Sequence, residues 1–149
     1  MRKLPRRLGI IGGGPIGCEL AQAFARFGSD VTLFDSSSSI LPREDQEAAT
    51  LVANALGRDG VHLINGAQNI EFHPQSDAVH ISAQLQKNNL QINVDQVLLA
   101  TGRRANIEGL NLEAAKINYE PVRGIQVDDR LRTTNRRIYA AGDVCSAYQ

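Results

Sequence analysis

The segment Leu8-Gly9-Ile10-Ile11-Gly12-Gly13-Gly14-Pro15-Ile16-Gly17 decides the fold of this 149-residue chain. Leu8 to Ile11 form a short apolar strand that runs into three consecutive glycines. From Ile16 the apolar positions recur at Leu20, Ala23, Phe24 and Phe27, which is helical spacing and predicts a buried stripe along those residues. Gly12 to Gly17 therefore fits G-x-G-x-x-G between a predicted strand and a predicted helix, the context that gives the motif its meaning. Gly12 makes the tight turn, Gly14 leaves the backbone open to a pyrophosphate, and Gly17 lets the helix pack close to the strand. The helix N-terminus presents unpaired N–H groups and about half a positive charge to such a ligand. Pro15 loses nothing there, since its missing N–H would have had no partner. Gly12, Gly13, Gly14, Pro15, Ile16 and Gly17 are thus the candidate pyrophosphate-binding residues. The competing reading is a tight strand-to-helix turn with no ligand.

Downstream, Gly28 stops the helix, and Val31 to Phe34 read as a second strand ending at Asp35, 18 residues beyond Gly17. A carboxylate there is placed to accept hydrogen bonds from an adenosine ribose and to repel a 2′-phosphate. Ser36 follows, and the nearest downstream base is Arg43, so NAD(H) is expected in preference to NADP(H). The alternative for Asp35 is a loop acid that caps a turn. Glu19 lies four residues after Pro15 on nearly the same helix face, which borders the expected cleft. It is read either as a residue of the site or as a surface acid near the helix N-terminus.

A polar loop, Ser36 to Ser39, leads through Pro42 to a second predicted helix, roughly Asp45 to Arg58, with Asp59-Gly60 as its stop. Val61 to Ile64 is a third strand. Residues 69–94 then alternate as short strands with a hairpin break at Gln86 to Asn89. Val97 to Ala100 is a continuous apolar run, as expected for the middle of a parallel sheet covered on both faces. This order predicts an α/β fold, a Rossmann-like doubly wound parallel sheet carrying an antiparallel β-meander insert at about 69–94. After Gly102 the composition shifts: residues 103–149 hold eight basic and six acidic side chains. They show little helical periodicity, with Ile125 to Val127 and Ile138 to Ala141 as isolated strands. The expected division is therefore 1–103 and 104–149.

A net charge of zero gives no long-range field, so neither nucleic acid nor an anionic membrane surface is an expected partner. No apolar run approaches a membrane span. Cys18 and Cys145, 127 positions apart, form neither a disulfide framework nor a metal knuckle. Both are read as inert thiols, and the expected location is cytoplasmic. His62, His73 and His80 show no ligand spacing, and no metal site is expected.

Three segments carry a family likeness. Leu8-Gly-Ile-Ile-Gly-Gly-Gly-Pro-Ile-Gly-Cys-Glu-Leu-Ala21 resembles the nicotinamide-nucleotide fingerprint of the pyridine nucleotide-disulfide oxidoreductases, including the Glu after the third glycine. Val97-Leu-Leu-Ala-Thr-Gly-Arg-Arg-Ala-Asn106 is similar to the family's A-T-G-R-x-P-N, with Ala105 in place of the proline. Thr134 and Ile138-Tyr-Ala-Ala-Gly-Asp143 resemble its second flavin-contacting motif. The resemblance implies that Gly12, Gly14 and Gly17 hold the NAD(P) pyrophosphate and Asp35 the ribose. It further implies that Glu19 sits where the nicotinamide meets the flavin, and that Gly102 lines the cleft. Asp143 would bind the ribityl-phosphate part of FAD. Pro15 stands where several relatives carry a Tyr that gates the nicotinamide.

The family's FAD fingerprint, its C-x-x-x-x-C redox pair and its His-Glu acid/base pair have no counterpart in these 149 residues. The expectation is accordingly an NAD(P)-binding domain with an incomplete FAD-domain segment, from a larger homodimeric enzyme that passes hydride from NAD(P)H to FAD. Alone, such a chain binds NAD(H) without turnover. The alternative is a free-standing NAD-binding or sensing module without redox activity.

Overall fold

Alternate residues of the first strand face opposite layers, and this alternation organises the larger of two units. The computed structural model describes residues 3–86 and 88–145. Its elements are β1 (Arg7–Ile11), α1 (Pro15–Arg26), β2 (Asp30–Asp35), α2 (Gln46–Arg58), β3 (His62–Asn65) and β4 (Ala67–Pro74). They continue as β5 (Val79–Leu85), β6 (Asn88–Val94), β7 (Gln96–Leu99), β8 (Tyr119–Glu120) and β9 (Gly124–Ile125). The chain divides into Met1–Gly102 and Arg103–Gln149.

In the first unit β3, β2, β1 and β7 form a parallel sheet in that order. Leu8 and Ile10 of β1 join Val31 and Leu33 of β2 in a core completed by Cys18, Ala21 and Leu56 of the two helices. Ile11 and Phe34 face the other way and pack with Ala67, Ile81, Ala83 and Val94 of the antiparallel sheet β4-β5-β6. Gly9 permits that second contact: a Cβ there would lie 2.7 Å from Ile81 Cδ1. Helices thus cover one face of the parallel sheet and the meander covers the other. Leu8, Ile10, Leu33 and Phe34 are fully buried, each worth roughly 1.5–3 kcal/mol of apolar transfer.

Both helices end alike. Gly28 (φ +98°) follows α1, and the Gly28 and Ser29 amides donate back to the Ala25 and Phe24 carbonyls. Gly60 (φ +87°) and Val61 do the same to Gly57 and Leu56 after α2. Only a residue that accepts positive φ without strain closes such a cap cheaply. At the other end of α2, Asp45 caps with its side chain, which accepts from the Glu47 and Ala48 amides.

Three expectations change. The buried residues of α1 are Gly17, Cys18 and Ala21, whereas Ile16 and Phe27 are 50% and 68% exposed. Leu20 and Phe24 of the expected stripe pack partly buried against the core, whereas its two ends face solvent and the fully buried positions are small, because the helix approaches the strands closely at Gly17. The Val97 to Ala100 run is not the middle of the sheet. Its strand, β7, pairs with β1 alone at an edge, and Leu99 is 65% exposed. The two central strands are β1 and β2.

The third change concerns Arg103–Gln149. Here Ile125 ends a two-residue strand paired with β8, and the Ile138 to Ala141 run forms no strand: the bridge Arg132–Tyr139 and the bonds of Thr133 to the Ile138 carbonyl and of the Ala140 amide to the Leu131 carbonyl hold it. This unit has its own core of Ala105, Ile107, Leu112, Ile117, Ile125, Ala140 and Cys145. Polar side chains take the place of regular ladders: Asn135 Nδ2 donates to the Ala115 carbonyl and Thr134 Oγ1 to that of Lys116.

Candidate functional site

The carboxyl ends of β1 and β2 meet at the glycine turn. The Gly12 amide donates to the Phe34 carbonyl (2.8 Å) and the Ala100 amide to that of Ile11 (2.7 Å), so the turn is fixed to both neighbouring strands. Gly12 has φ +108°, and a Cβ on it would lie 2.4 Å from the Ala100 carbonyl oxygen. A Cβ on Gly17 would come within 1.8 Å of the Gly12 carbonyl oxygen. One on Gly13 would meet the Asp35 carboxylate at 2.9 Å. These three glycines are demanded by the fold itself.

Gly14 differs. It is the N-cap of α1 with φ −73°, a value any residue adopts, and an added Cβ would meet no atom within 4 Å. Pro15 follows at the first helical position, and the free amides of that first turn open on the same side as Gly14.

Asp35 is buried, and its two oxygens are engaged separately. Oδ2 accepts from the Gly13 amide at 2.5 Å and Oδ1 from the Ser37 amide at 2.6 Å. The loop after β2 is held by further bonds: Leu41 amide to Gly13 carbonyl, Gly66 amide to Ser37 carbonyl, and Gln68 Nε2 to Ser36 carbonyl. A carboxylate offers about four acceptor positions, and the two amides leave acceptor capacity for hydroxyl donors. Both readings of Asp35 are therefore compatible in one side chain.

Beside Asp35 lies a cavity of about 320 Å³, walled by Gly12, Asp35, Ser36, Gln68, Asn69 and Thr101 among others. Thr101 ends the run from β7, and Ala67 and Gln68 begin β4. Sequence spacing did not single out Gln68, because only the folding back of β4 brings it to the strand ends, whereas Thr101 reaches them directly from β7. Gly102 is exposed, with φ +125° and open space where a side chain would stand.

Glu19 and Ile16 are both exposed on the first turns of α1, one turn apart. Asp143 belongs to the second unit, where its carboxylate pairs with Arg103 at 2.5 Å. Cys18 is buried, and its thiol donates to the Gly13 carbonyl at 3.4 Å. A helix N-terminus ordinarily favours a thiolate. Here burial first, then the Asp35 and Glu19 carboxylates, push the thiol up to about 11, so it stays protonated. Burial also raises Cys145. Among the described residues no group of three or more His, Cys, Asp or Glu side chains surrounds a common point, and no helix is long and apolar enough to cross a membrane.

Fold and turn geometry are those of a Rossmann-like α/β domain. The family model for pyridine nucleotide-disulphide oxidoreductases matches residues 1–149, and the chain belongs to that family of flavin-dependent oxidoreductases. It is 38% identical over 143 residues to the dihydrolipoyl dehydrogenase of Thermus scotoductus, covering 95% of this chain and 31% of that one. It is 40% identical over 151 residues to the probable pyridine nucleotide-disulfide oxidoreductase RclA of Escherichia coli, covering 100% and 33%. The solved structure of that HOCl-induced flavoprotein disulfide reductase superimposes with a TM-score of 0.86. The water-forming NADH oxidase of Lactobacillus brevis, solved bound to NADH, superimposes with a TM-score of 0.80 at 31% identity, covering 95% of this chain and 30% of that one. The chain thus spans about one third of the length of these relatives.

Proposed function

We propose that this chain is a nicotinamide-dinucleotide-binding domain that holds NADH for hydride transfer to FAD. The observation that carries the reading is Gly14. Gly12, Gly13 and Gly17 are required by neighbouring protein atoms, whereas Gly14 has an ordinary φ and open space around it. A glycine that the fold does not need, at the N-terminus of α1, is explained by a pyrophosphate that approaches the backbone. The residues present fit the dinucleotide: the free amides of the first helical turn bind phosphate oxygens, and Asp35 accepts from the ribose hydroxyls.

The dinucleotide supplies hydride, and the surrounding chain supplies binding and orientation. Asp35 disfavours a 2′-phosphate by charge repulsion, and no basic side chain adjoins it on the β2 exit, which favours NADH over NADPH. Glu19 and Gly102 border the nicotinamide end of the cleft in this reading. Asp143, oriented by Arg103, is a flavin-side residue.

Calorimetry with NADH and NADPH tests the proposal. NADH is expected to bind more tightly, and Gly14→Ala to weaken it about tenfold or more while costing stability no more than the modest loss alanine brings at an N-cap. Asp35→Asn is expected to cost NADH about 1.5–3 kcal/mol and NADPH less. Undiminished NADH binding by Gly14→Ala would overturn the pyrophosphate assignment. Equal losses for both nucleotides in Asp35→Asn would remove the ribose contact.

A further inference from the structure

We propose that His73 and His80 form a two-imidazole chelating site for a divalent late transition-metal ion on the outer face of the three-stranded sheet. The two residues are seven apart in sequence and show no ligand spacing, but the β4–β5 register pairs them directly across the strands. Ile81 and Ala83 of β5 point into the core, so His80 and Ser82, which alternate with them, lie on the opposite face with His73 and Glu71.

The ring centroids are 6.1 Å apart, with the planes inclined at 39°. A metal–nitrogen bond of 2.0–2.1 Å places each ring centroid about 3.2 Å from the ion, so one ion can join rings up to about 6.4 Å apart. That limit holds for a linear N–metal–N arrangement; a tetrahedral ion brings the centroids to about 5.2 Å, so the two side chains turn toward each other by about 1 Å to bind one.

A second observation concerns the protons. His80 Nδ1 lies 2.8 Å from Asn93 Oδ1 on β6. With Nδ1 donating to that amide oxygen, Nε2 is the ring nitrogen left to bind a metal. A ligating histidine is ordinarily held in this way, its other ring nitrogen donating to an oxygen. Across the pair, Glu71 Oε2 is 3.6 Å and Ser82 Oγ 3.4 Å from His73 Nε2. The carboxylate adds negative charge beside the ion and the hydroxyl a polar neighbour. With only two imidazoles the remaining positions fall to water.

Imidazole nitrogen suits Cu(II), Ni(II) and Zn(II), with Cu(II) bound most tightly. The site is independent of the dinucleotide reading. It lies six residues along β4 from Ala67, roughly 20 Å at the rise of an extended strand.

The test is calorimetric titration of the tag-free 149-residue chain with CuCl2, NiCl2 and ZnCl2, together with Cu(II) electron paramagnetic resonance. One equivalent is expected to bind, with a resonance signature of two imidazole nitrogens. His73→Ala and His80→Ala should each weaken binding about tenfold or more, and His62→Ala should leave it unchanged. His73→Gln and His80→Gln keep side-chain bulk and polarity and should show the same loss, which separates ligation from packing. Unaltered Cu(II) binding in the double alanine variant, or a spectrum of one imidazole nitrogen, would overturn the site.

Discussion

Gly17 shows how little tolerance the turn has at the residue scale. A methyl group there would sit 1.8 Å from the Gly12 carbonyl oxygen, which belongs to backbone that β1 and β2 already hold in place. Gly17→Ala is therefore expected to destabilise the chain by about 1–3 kcal/mol, the usual cost of overpacking. Urea denaturation checks this, and the contrast with the milder Gly14→Ala, which costs no more than an N-cap alanine does, separates a glycine needed for folding from one needed for a ligand. The glycine spacing and Asp35 were legible in the sequence because each has a local signature. The clamp of Asp35 on the Gly13 and Ser37 amides was not. It depends on how the loop after β2 folds over the turn, which no spacing encodes.

Helix α2 is stabilised at its start by one side chain. Asp45 accepts from two otherwise unpartnered amides, those of Glu47 and Ala48. Asp45→Ala should cost about 1 kcal/mol of stability, and Asp45→Asn should recover most of it. Thermal melts of the two variants give the comparison. Element identity was read well where period and punctuation agree, as in α1, where Pro15 and Gly28 bracket the helix. The ends of the α1 stripe depart from expectation because hydrophobicity ranks Ile16 and Phe27 above Gly17, Cys18 and Ala21, while Leu20 and Phe24 between them do pack on the core. Close approach to a sheet selects for small volume instead. The position of β7 was misread for a related reason. An apolar run signals shielding of a strand's faces and says nothing about whether its second edge is paired.

Ion pairs join distant parts of the chain at the scale of the whole molecule. Arg7 binds Asp95 across 88 positions, and Gln22 and Arg26 of α1 bind Asp59 beyond α2. The side-chain bond from Arg7 holds the Asp95 carboxyl below its ordinary value of 3.8, and the bond from Gln22 does the same for Asp59. A lowered folded value means the unfolded chain binds protons more readily. The associated stability is therefore complete above the ordinary value and is lost as pH falls through the folded values. Urea midpoints measured from neutral pH downward should fall in that acidic window, and Asp95→Asn should flatten the decline. The irregular second unit was the least legible part, since short bridges and side-chain caps leave no periodic trace. Asp35 has a consequence for descent as well. In the proposed function one carboxylate both braces a loop and meets the nucleotide, and a lineage then cannot exchange one cofactor for the other at this position alone. Losing the acid frees the Gly13 and Ser37 amides, and a viable intermediate needs a compensating substitution in the same loop. Cofactor choice and loop architecture are then inherited together.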